Sequence, residues 1–452
     1  MQQLRRLVSR YPRPLLFIGI FAVFFLWSYV NLDPDFGWHL RSGQYFIGHG
    51  IPKYDIFTYT ASSFHWVNHE WLSDVIVASV FSIGSYWLLS LLYAAMWTTA
   101  VAIVGRGVHW ALIISAVVAI LPFAGVRALT WSVLALALLV LLLQQKDKRW
   151  RLGIPLLFLV WANVHGSFLI GIAYGGWQLL RERSWRLAAI GIVSAGLTLV
   201  NPYGVEIYTE IFRTMFDGDL HARIQEWARF ALPLSTLPYI LTWLGLTVYH
   251  YRRKWRQYIR FENLLFIMSV TSMRMTPLFV LMSLQGLQQT IKAIDLALPK
   301  KFQTERRRIA KIAGVVLVIV SLLTPVVESA ISRSGLDLNY PSAAVTYLRD
   351  NPCDGNLFNS YNYGGFLIWQ LPDHKVYIDG RMPSWGYEGG MYMTNYLRVI
   401  DEKAFRDDEF ERYDIRCVLA ENESPVTKAL KAEGWNPVVN DNTSSLLLIP
   451  KS

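Results

Sequence analysis

Charged residues are scarce in this chain of 452 residues. Asp, Glu, Lys and Arg make up 17% of it and apolar residues 53%, whereas a typical soluble domain has about 25% charged residues. So few charges cannot cover the surface of a water-soluble protein of this length. The composition therefore excludes an ordinary soluble enzyme and predicts a polytopic membrane protein.

Three further absences narrow the function. The sequence has no Walker motif and no glycine-rich phosphate-binding fingerprint, which argues against an ATP-driven pump. It has no obvious internal repeat, although many transporters have one. Cysteine is nearly absent as well, since the chain has only Cys353 and Cys417.

Apolar runs predict about eleven membrane spans. The first run follows several arginines but has no small-residue cleavage site, so we interpret it as an uncleaved signal anchor. Several runs are shorter than the roughly 20 residues that a membrane-crossing helix needs, which favours short helices that meet a water-filled cavity. The predicted spans are 14–30, 86–104, 110–121, 130–143, 152–163, 168–180, 187–200, 232–249, 262–270, 277–291 and 312–327.

The distribution of Lys and Arg predicts the orientation. Cytoplasmic loops of membrane proteins are enriched in these residues, and a cytoplasmic N-terminus puts 24 of the 31 Lys and Arg residues of 1–330 on the inner side. This bias accounts for the net charge of +10 without a nucleic-acid partner. The predicted location is the bacterial cytoplasmic membrane, with membrane lipid as a partner.

The chain divides into two predicted domains, an α-helical polytopic membrane domain over 1–330 and a soluble α/β domain over 331–452. Residues 1–330 carry 31 bases and 16 acids, whereas residues 331–452 carry 12 bases and 17 acids and have no apolar span. Short apolar segments predict strands in the second domain. They cover residues 356–359, 376–379, 415–420 and 445–449.

An odd number of spans places the second domain outside the cell. Both cysteines fall in this domain, and an oxidising compartment would allow a disulfide between Cys353 and Cys417. Two buried free thiols would explain the same cysteine count.

The loop over residues 31–71, directly after the first span, concentrates titratable side chains. They converge from both ends of the loop, which suits general acid–base catalysis or metal binding. Helix capping is the alternative, since Asp35 and Asn68 are good N-cap residues, but a cap needs only one side chain. The six groups are Asp33, Asp35, His39, His65, His69 and Glu70.

This loop and several later motifs resemble a family of bacterial integral membrane proteins in the GT-C glycosyltransferase superfamily. Protein O-mannosyltransferases and oligosaccharyltransferases are its better-known relatives, and the resemblance covers most of the chain. The motifs that carry it are Asp-Pro-Asp-Phe-Gly-Trp-His at 33–39, Trp-Val-Asn-His-Glu-Trp at 66–71, Asn-Val-His-Gly-Ser at 163–167, Asn-Pro-Tyr-Gly at 201–204, Glu-Trp at 226–227, Arg274, and Ile-Asp-Gly-Arg at 378–381.

The resemblance implies an enzyme that takes a sugar from a polyprenyl-phosphate carrier and passes it to a glycan, lipid or protein acceptor on the outer membrane face. By position, Asp35 or Asp33 corresponds to the superfamily's general base or metal ligand, and we favour Asp35 because Trp38 and His39 lie on the same helix turn. Glu70 resembles the second acid of some members. Whether Asp35 and Glu70 hold Mn²⁺ or Mg²⁺ stays open, because the superfamily has members with and without a metal.

Other polar residues are candidates for binding the substrate or its phosphate. Arg127 and Arg274 end apolar spans on the predicted outer side, where a guanidinium would either clamp a phosphate or snorkel to the interface. His165 lies between two short spans, either in contact with the phosphate or as a satisfied residue of a helix hairpin. The remaining candidates are His39, His69 and Glu226.

Three alternatives fit parts of the pattern. A lipid-linked glycan transporter or flippase would also have many spans, but it would not need a carboxylate-rich outer loop. A polysaccharide polymerase or ligase would depend on outer arginines more than on acids. In a non-catalytic partner in envelope assembly, the acids would be dispensable.

Overall fold

The computed structural model describes residues 12–216, 232–251, 259–297, 311–324, 340–388 and 390–450. These residues are mostly helical, with a small sheet toward the C-terminal end. They fall into two compact units. The first unit comprises Met1–Leu32, Tyr86–Gly204 and His221–Leu336, and the second comprises Asp33–Ser85, Val205–Leu220 and Asp337–Ser452.

The predicted apolar runs fall mostly on helices, but α3 begins at Trp71, well before the predicted run at 86–104. In chain order they are α1 Pro12–Val30, α2 Phe36–His49, α3 Trp71–Val104, α4 Trp110–Ile120, α5 Leu129–Gln144, α6 Ile154–Val164, α7 Phe168–Glu182, α8 Trp185–Leu197, α9 Glu206–Phe216, α10 Leu237–Tyr251, α11 Phe261–Thr271, α12 Thr276–Ala297, α13 Lys311–Thr324, α14 Ser342–Asp350, α15 Gly364–Gln370, α16 Tyr392–Asp401, α17 Lys403–Arg412 and α18 Pro425–Ala432.

In the part of the chain that the structure describes, two helices are long and apolar enough to cross a membrane. Among the described residues these are Arg13–Val30 of α1 and the whole of α3, and several other helices are apolar but shorter. The mostly helical architecture with a C-terminal sheet is as predicted. The count of eleven spans stays a prediction.

Helix α3 is interrupted by a kink at Gly84 and Ser85. Ser85 has φ 56° and ψ −162°, which no α-helical residue adopts. The boundary between the two units falls at this kink. Residues 71–83 therefore belong to the second unit, and residues 86–104 belong to the first.

Polar side chains link the apolar helices of the first unit. Arg151 makes two 2.8 Å bonds to the carboxylate of Glu182 on α7 and donates to the carbonyl oxygen of Leu143 on α5. Asn163 Nδ2 donates to the carbonyl oxygen of Val200. Such bonds hold helices together where the surroundings are apolar.

The second unit contains a four-stranded sheet. Its strands are β1 Asn356–Asn359, β4 Ile415–Glu421, β6 Ser444–Leu448 and β5 Asn436–Asn440, in that spatial order. β1 pairs with β4 in parallel, and the other pairs are antiparallel. A two-stranded ribbon is formed by β2 Gly386–Tyr387 and β3 Gly390–Met391.

The predicted strand at 376–379 is wrong, because this segment pairs with the 31–71 loop through a single bridge. Val376 exchanges backbone bonds with Phe57 and Tyr59, and Thr60 Oγ1 donates to the carbonyl oxygen of Tyr377 at 2.7 Å. The loop thus packs with the C-terminal segment, whereas the sequence suggested that it belongs with the membrane domain.

Close backbone contact fixes α2 against α15. A Cβ atom on Gly37 would overlap the carbonyl oxygen of Gly365, and a Cβ on Gly365 would overlap that of Pro34. Only glycine lets the two backbones approach so closely. The start of α2, where Asp33 and Asp35 lie, is therefore held by the C-terminal segment.

Candidate active site

The two aspartates at the start of α2 have different roles. Asp33 Oδ1 accepts a hydrogen bond from the backbone nitrogen of Asp35 at 2.9 Å. The backbone carbonyl oxygen of Asp33 accepts a hydrogen bond from the backbone nitrogen of Phe36. Asp35 occupies the N-cap position, but its side chain makes no capping bond to the helix. The carboxylate of Asp33 therefore stabilises the turn, and that of Asp35 is not used for capping.

A buried cluster lies where α2 meets the start of α3. His39 Nδ1 is 2.6 Å from Asp74 Oδ1, and His39 Nε2 is 3.7 Å from Glu70 Oε2. His69 Nε2 lies 3.5 Å from Glu70 Oε1. The carboxylate of Glu70 is thus flanked by two imidazoles.

Asn68 orders this cluster. Its Nδ2 donates to Asp74 Oδ2 at 2.7 Å, and its Oδ1 accepts from the backbone nitrogen of Glu70 at 2.9 Å. The capping role predicted for Asn68 is thus combined with a second bond that holds Asp74 against His39. Both oxygens of the buried Asp74 carboxylate have partners, as a buried charge requires.

His39 is charged at neutral pH. Burial alone would lower its pKa, but the carboxylates of Asp74, Glu70 and Asp35 outweigh burial and raise the pKa from 6.5 to about 9. An imidazolium in this position neutralises part of the negative charge of the cluster. It also places a cationic N–H 3.7 Å from Glu70 Oε2.

The Ile-Asp-Gly-Arg segment at 378–381 borders Asp35. A Cβ on Gly380 would overlap Asp35 Oδ1. Arg381 next to it is buried, pairs with Asp379 through two bonds of 2.8 and 2.6 Å, and lies 2.7 Å from Asp55 Oδ1. These paired charges anchor the segment that the Asp35 carboxylate touches.

An aromatic cage completes the anchor. The guanidinium carbon of Arg381 lies 4.9, 4.6 and 5.1 Å from the ring centroids of Phe57, Trp66 and Trp385. Arginine over such faces gains cation–π energy when it is desolvated.

No metal centre is formed by the side chains that the structure describes. Nowhere in those segments do three His, Cys, Asp or Glu side chains come together as a set that could hold a metal ion, and Asp74 and His39 are bonded to each other. Binding of Mn²⁺ or Mg²⁺ by Asp35 and Glu70 stays a prediction.

His65 lies outside the cluster. Its Nε2 is 2.9 Å from Glu206 Oε2 and its Nδ1 is 3.1 Å from the carbonyl oxygen of Lys53, with half of the side chain exposed. His65 therefore contacts α9 and does not take part in the cluster around Glu70.

In the first unit, His165 joins a helix hairpin. It ends α6, its Nδ1 accepts from the backbone nitrogen of Ser167 at 3.0 Å, and the hydroxyl of Ser132 lies 2.9 Å from the same atom. Trp161 Nε1 donates to that hydroxyl. These bonds fit the hairpin interpretation of His165, and its contact with the phosphate stays a prediction.

The remaining candidates are less constrained. Arg127 and Arg274 are half-buried, in the turn before α5 and in the turn before α12, and their phosphate-binding role stays a prediction. Glu226 lies outside the described residues. The structure joins Cys353 to Cys417 in a disulfide with a Cα–Cα distance of 6.1 Å.

Sequence reasoning missed Asp74. An acid inside an apolar run is a signal of function, and Trp-Leu-Ser-Asp-Val-Ile-Val at 71–77 carries that signal. Asp74 lies just beyond the C-terminal end of the predicted 31–71 loop. Gly380 belongs to the Ile-Asp-Gly-Arg motif at 378–381, but nothing in the sequence places that motif beside Asp35.

The fold has counterparts among solved structures. One is the archaeal oligosaccharyltransferase AglB from Archaeoglobus fulgidus in complex with an inhibitory peptide and a dolichol-phosphate, with a TM-score of 0.61 and 11% identity over 92% of this chain and 70% of that one. ArnT from Cupriavidus metallidurans matches over 97% of this chain and 98% of its own, at 12% identity and a TM-score of 0.54 without ligand. The structure of ArnT in complex with undecaprenyl phosphate matches at 13% identity and a TM-score of 0.51.

No family model and no curated protein sequence matches the chain. AglB and ArnT both belong to the GT-C glycosyltransferase superfamily. At such low identity the likeness concerns the fold, and it confirms the predicted GT-C resemblance at that level.

Proposed function

We propose that this chain, which has the GT-C fold, is a membrane glycosyltransferase that moves a sugar from a polyprenyl-phosphate carrier to an acceptor outside the cytoplasmic membrane. The observation that carries the proposal is the likeness to AglB over 92% of the chain. AglB was solved with a dolichol-phosphate and ArnT with undecaprenyl phosphate. Both ligands are lipid phosphates of the proposed class.

Asp35 is the proposed general base. An acceptor hydroxyl is a weak nucleophile, and a carboxylate that takes its proton as the new bond to the anomeric carbon forms contributes about 10²- to 10⁴-fold. The bond between the anomeric carbon and the phosphate oxygen breaks, and the polyprenyl phosphate leaves with the electron pair. Asp35 begins α2, and its carboxylate lies near enough to His39 to help raise the pKa of that imidazole.

Glu70 and His39 are the proposed acceptor-binding pair. The carboxylate of Glu70 lies between the imidazoles of His39 and His69, where it can accept a hydrogen bond from an acceptor hydroxyl and orient it. Arg127 and Arg274 remain the proposed cations for the leaving phosphate. The domain order, the outward orientation of the C-terminal domain and a bacterial host remain part of the proposal.

The test is glycolipid and glycan profiling of membranes from a deletion strain. The strain is complemented with the intact chain, with Asp35→Asn and with Glu70→Gln, and insertion of every variant is checked by immunoblot. We expect a glycan to disappear on deletion and to return with the intact chain but not with Asp35→Asn.

Two control variants sharpen the test. Asp373→Asn changes an exposed aspartate of the same unit and should restore the glycan fully. Asp33→Asn alters a capping side chain and should restore much more glycan than Asp35→Asn. Full restoration by both Asp35→Asn and Glu70→Gln would contradict the catalytic roles, and a deletion without any glycan change would contradict the function.

A further inference from the structure

The space beside the Asp35 carboxylate is created by a missing side chain. Gly380, in the described part of the second unit, is a glycine whose added Cβ would meet first the tip of a carboxylate, Asp35 Oδ1. For Gly37, Gly43, Gly364 and Gly365, the first atom met would be a backbone oxygen. A methyl group at Gly380 would thus displace one flexible side chain, whereas at the other four positions it would push backbones apart.

Backbone conformation does not explain the glycine. Gly380 is not among the glycines with positive φ, so alanine would fit its backbone without strain. The three nearest atoms that an added Cβ would meet all belong to Asp35.

The backbone around Gly380 is firmly held. Asp379 Oδ1 accepts from the backbone nitrogen of Arg381 at 2.9 Å, and both Asp379 and the guanidinium of Arg381 are buried. On the other side, a Cβ on Gly364 would overlap the carbonyl oxygen of Ile378. A wall this rigid determines where a neighbouring carboxylate can lie.

We infer that Gly380 is a positioning residue for Asp35, and that the anchored 378–381 segment of the C-terminal region forms one wall of the pocket that holds the general base. This inference rests on the proposed role of Asp35. It assigns the C-terminal region a direct part in the reaction, since the base is held by a segment more than 340 residues away in the chain.

The expected effect of Gly380→Ala is specific. The variant should insert and unfold at nearly the same temperature as the intact chain, because only the end of a side chain has to move. Its rate of glycan formation in isolated membranes should fall by about 10²-fold, the effect of misplacing a catalytic group by about 1 Å. The pH at which the rate is half-maximal on the acidic side should shift as well, because the carboxylate has a new environment.

A double-mutant cycle with Asp35→Ala separates positioning from a general structural effect. If Gly380 acts through Asp35, adding Gly380→Ala to Asp35→Ala should lower the rate no further. Any small loss of thermal stability caused by Gly380→Ala should also disappear in that background, because the methyl group then fills vacated space. Gly48→Ala is the matched control, since Gly48 lies on α2 with nothing within 4 Å of its added Cβ, and its rate and pH profile should be unchanged.

The outcomes distinguish this inference from the proposed function. Loss of rate in Asp35→Ala with a full rate in Gly380→Ala would overturn the inference and leave the function standing. Equal and additive losses in the two variants would also overturn it. A full rate in Asp35→Ala would remove the proposed base, and the positioning role would be overturned with it.

Discussion

His39 Nδ1 lies 2.6 Å from Asp74 Oδ1, and this buried contact joins α2 to the start of α3. The side chain of His39 is 10% exposed and that of Asp74 is fully buried. Removing one partner of such a pair leaves an uncompensated charge in the interior, which costs more than the pair itself contributes. The geometry of the whole cluster therefore depends on both residues being present.

Asp74→Asn should destabilise the second unit by about 3 kcal/mol, the usual cost of breaking a buried ion pair. The pKa of His39 should fall at the same time, because its strongest charged partner is lost. Thermal unfolding of the purified protein in a non-ionic detergent would measure the change in stability. Asp408→Asn, at an exposed position, is the control, and an equal midpoint in the two variants would refute the prediction.

Stability should also depend on pH through His39. Its pKa is raised from 6.5 in the unfolded chain to about 9 in the fold, so the folded state binds the proton more tightly. The stabilisation is therefore fully present below pH 6.5 and is lost as the pH rises through 9, up to about 3 kcal/mol in total. The thermal midpoint of the intact chain should fall over this range more steeply than that of His39→Gln, and parallel curves would argue against the raised pKa.

Arg381→Lys should destabilise the second unit by about 1 to 3 kcal/mol, the cost of leaving buried acceptors unsatisfied, although the charge is kept. Lysine cannot reproduce the two bonds to Asp379 together with the 2.7 Å contact to Asp55, because only the guanidinium has a rigid fork of donors. Arg349→Lys, at an exposed position, should change the unfolding free energy by less than about 0.5 kcal/mol. Denaturant unfolding monitored by tryptophan fluorescence would compare the two, and similar small effects would show that Arg381 is not an anchor.

Loss of the disulfide should weaken the C-terminal sheet. Cys353 and Cys417 are 64 residues apart, and a cross-link across such a loop contributes about 4 kcal/mol in the chain-entropy model. The double variant Cys353→Ser/Cys417→Ser should unfold at a lower temperature than the intact chain. A reducing agent should lower the midpoint of the intact chain only, and an unchanged midpoint in both proteins would rule out the bond in solution.

Apolar helices such as α7 and α12 could be predicted because an apolar run is visible in the composition of its own segment. The apolar runs at 168–180 and 277–291 became α7 and α12 with boundaries shifted by a few residues or less, except at the C-terminal end of α12, which continues to Ala297. The acids and imidazoles of the 31–71 loop were likewise predictable, since His39 and Glu70 stand out in an apolar chain.

Partners far apart in the chain could not be predicted in the same way. Thr60 and Tyr377 are bonded across 317 residues, and no periodicity in either segment reports this contact. The same pairing accounts for the wrong strand at 376–379, because a short apolar segment also resembles a sheet strand. Tyr377 instead donates its backbone N–H to Asn359 Oδ1.

Two glycines of α2 provide a final and direct comparison. Gly37→Ala places a methyl group against the carbonyl oxygen of Gly365, so α2 and α15 must separate, at a cost of about 1 to 3 kcal/mol as for other overpacked sites. Gly48→Ala, on the exposed face of the same helix, should instead stabilise it by up to about 1 kcal/mol, because alanine is the better helix former. Opposite shifts of the thermal midpoint are expected. A stabilising effect of both substitutions would mean that the two helix backbones are not in close contact, and that the C-terminal segment does not hold the start of α2.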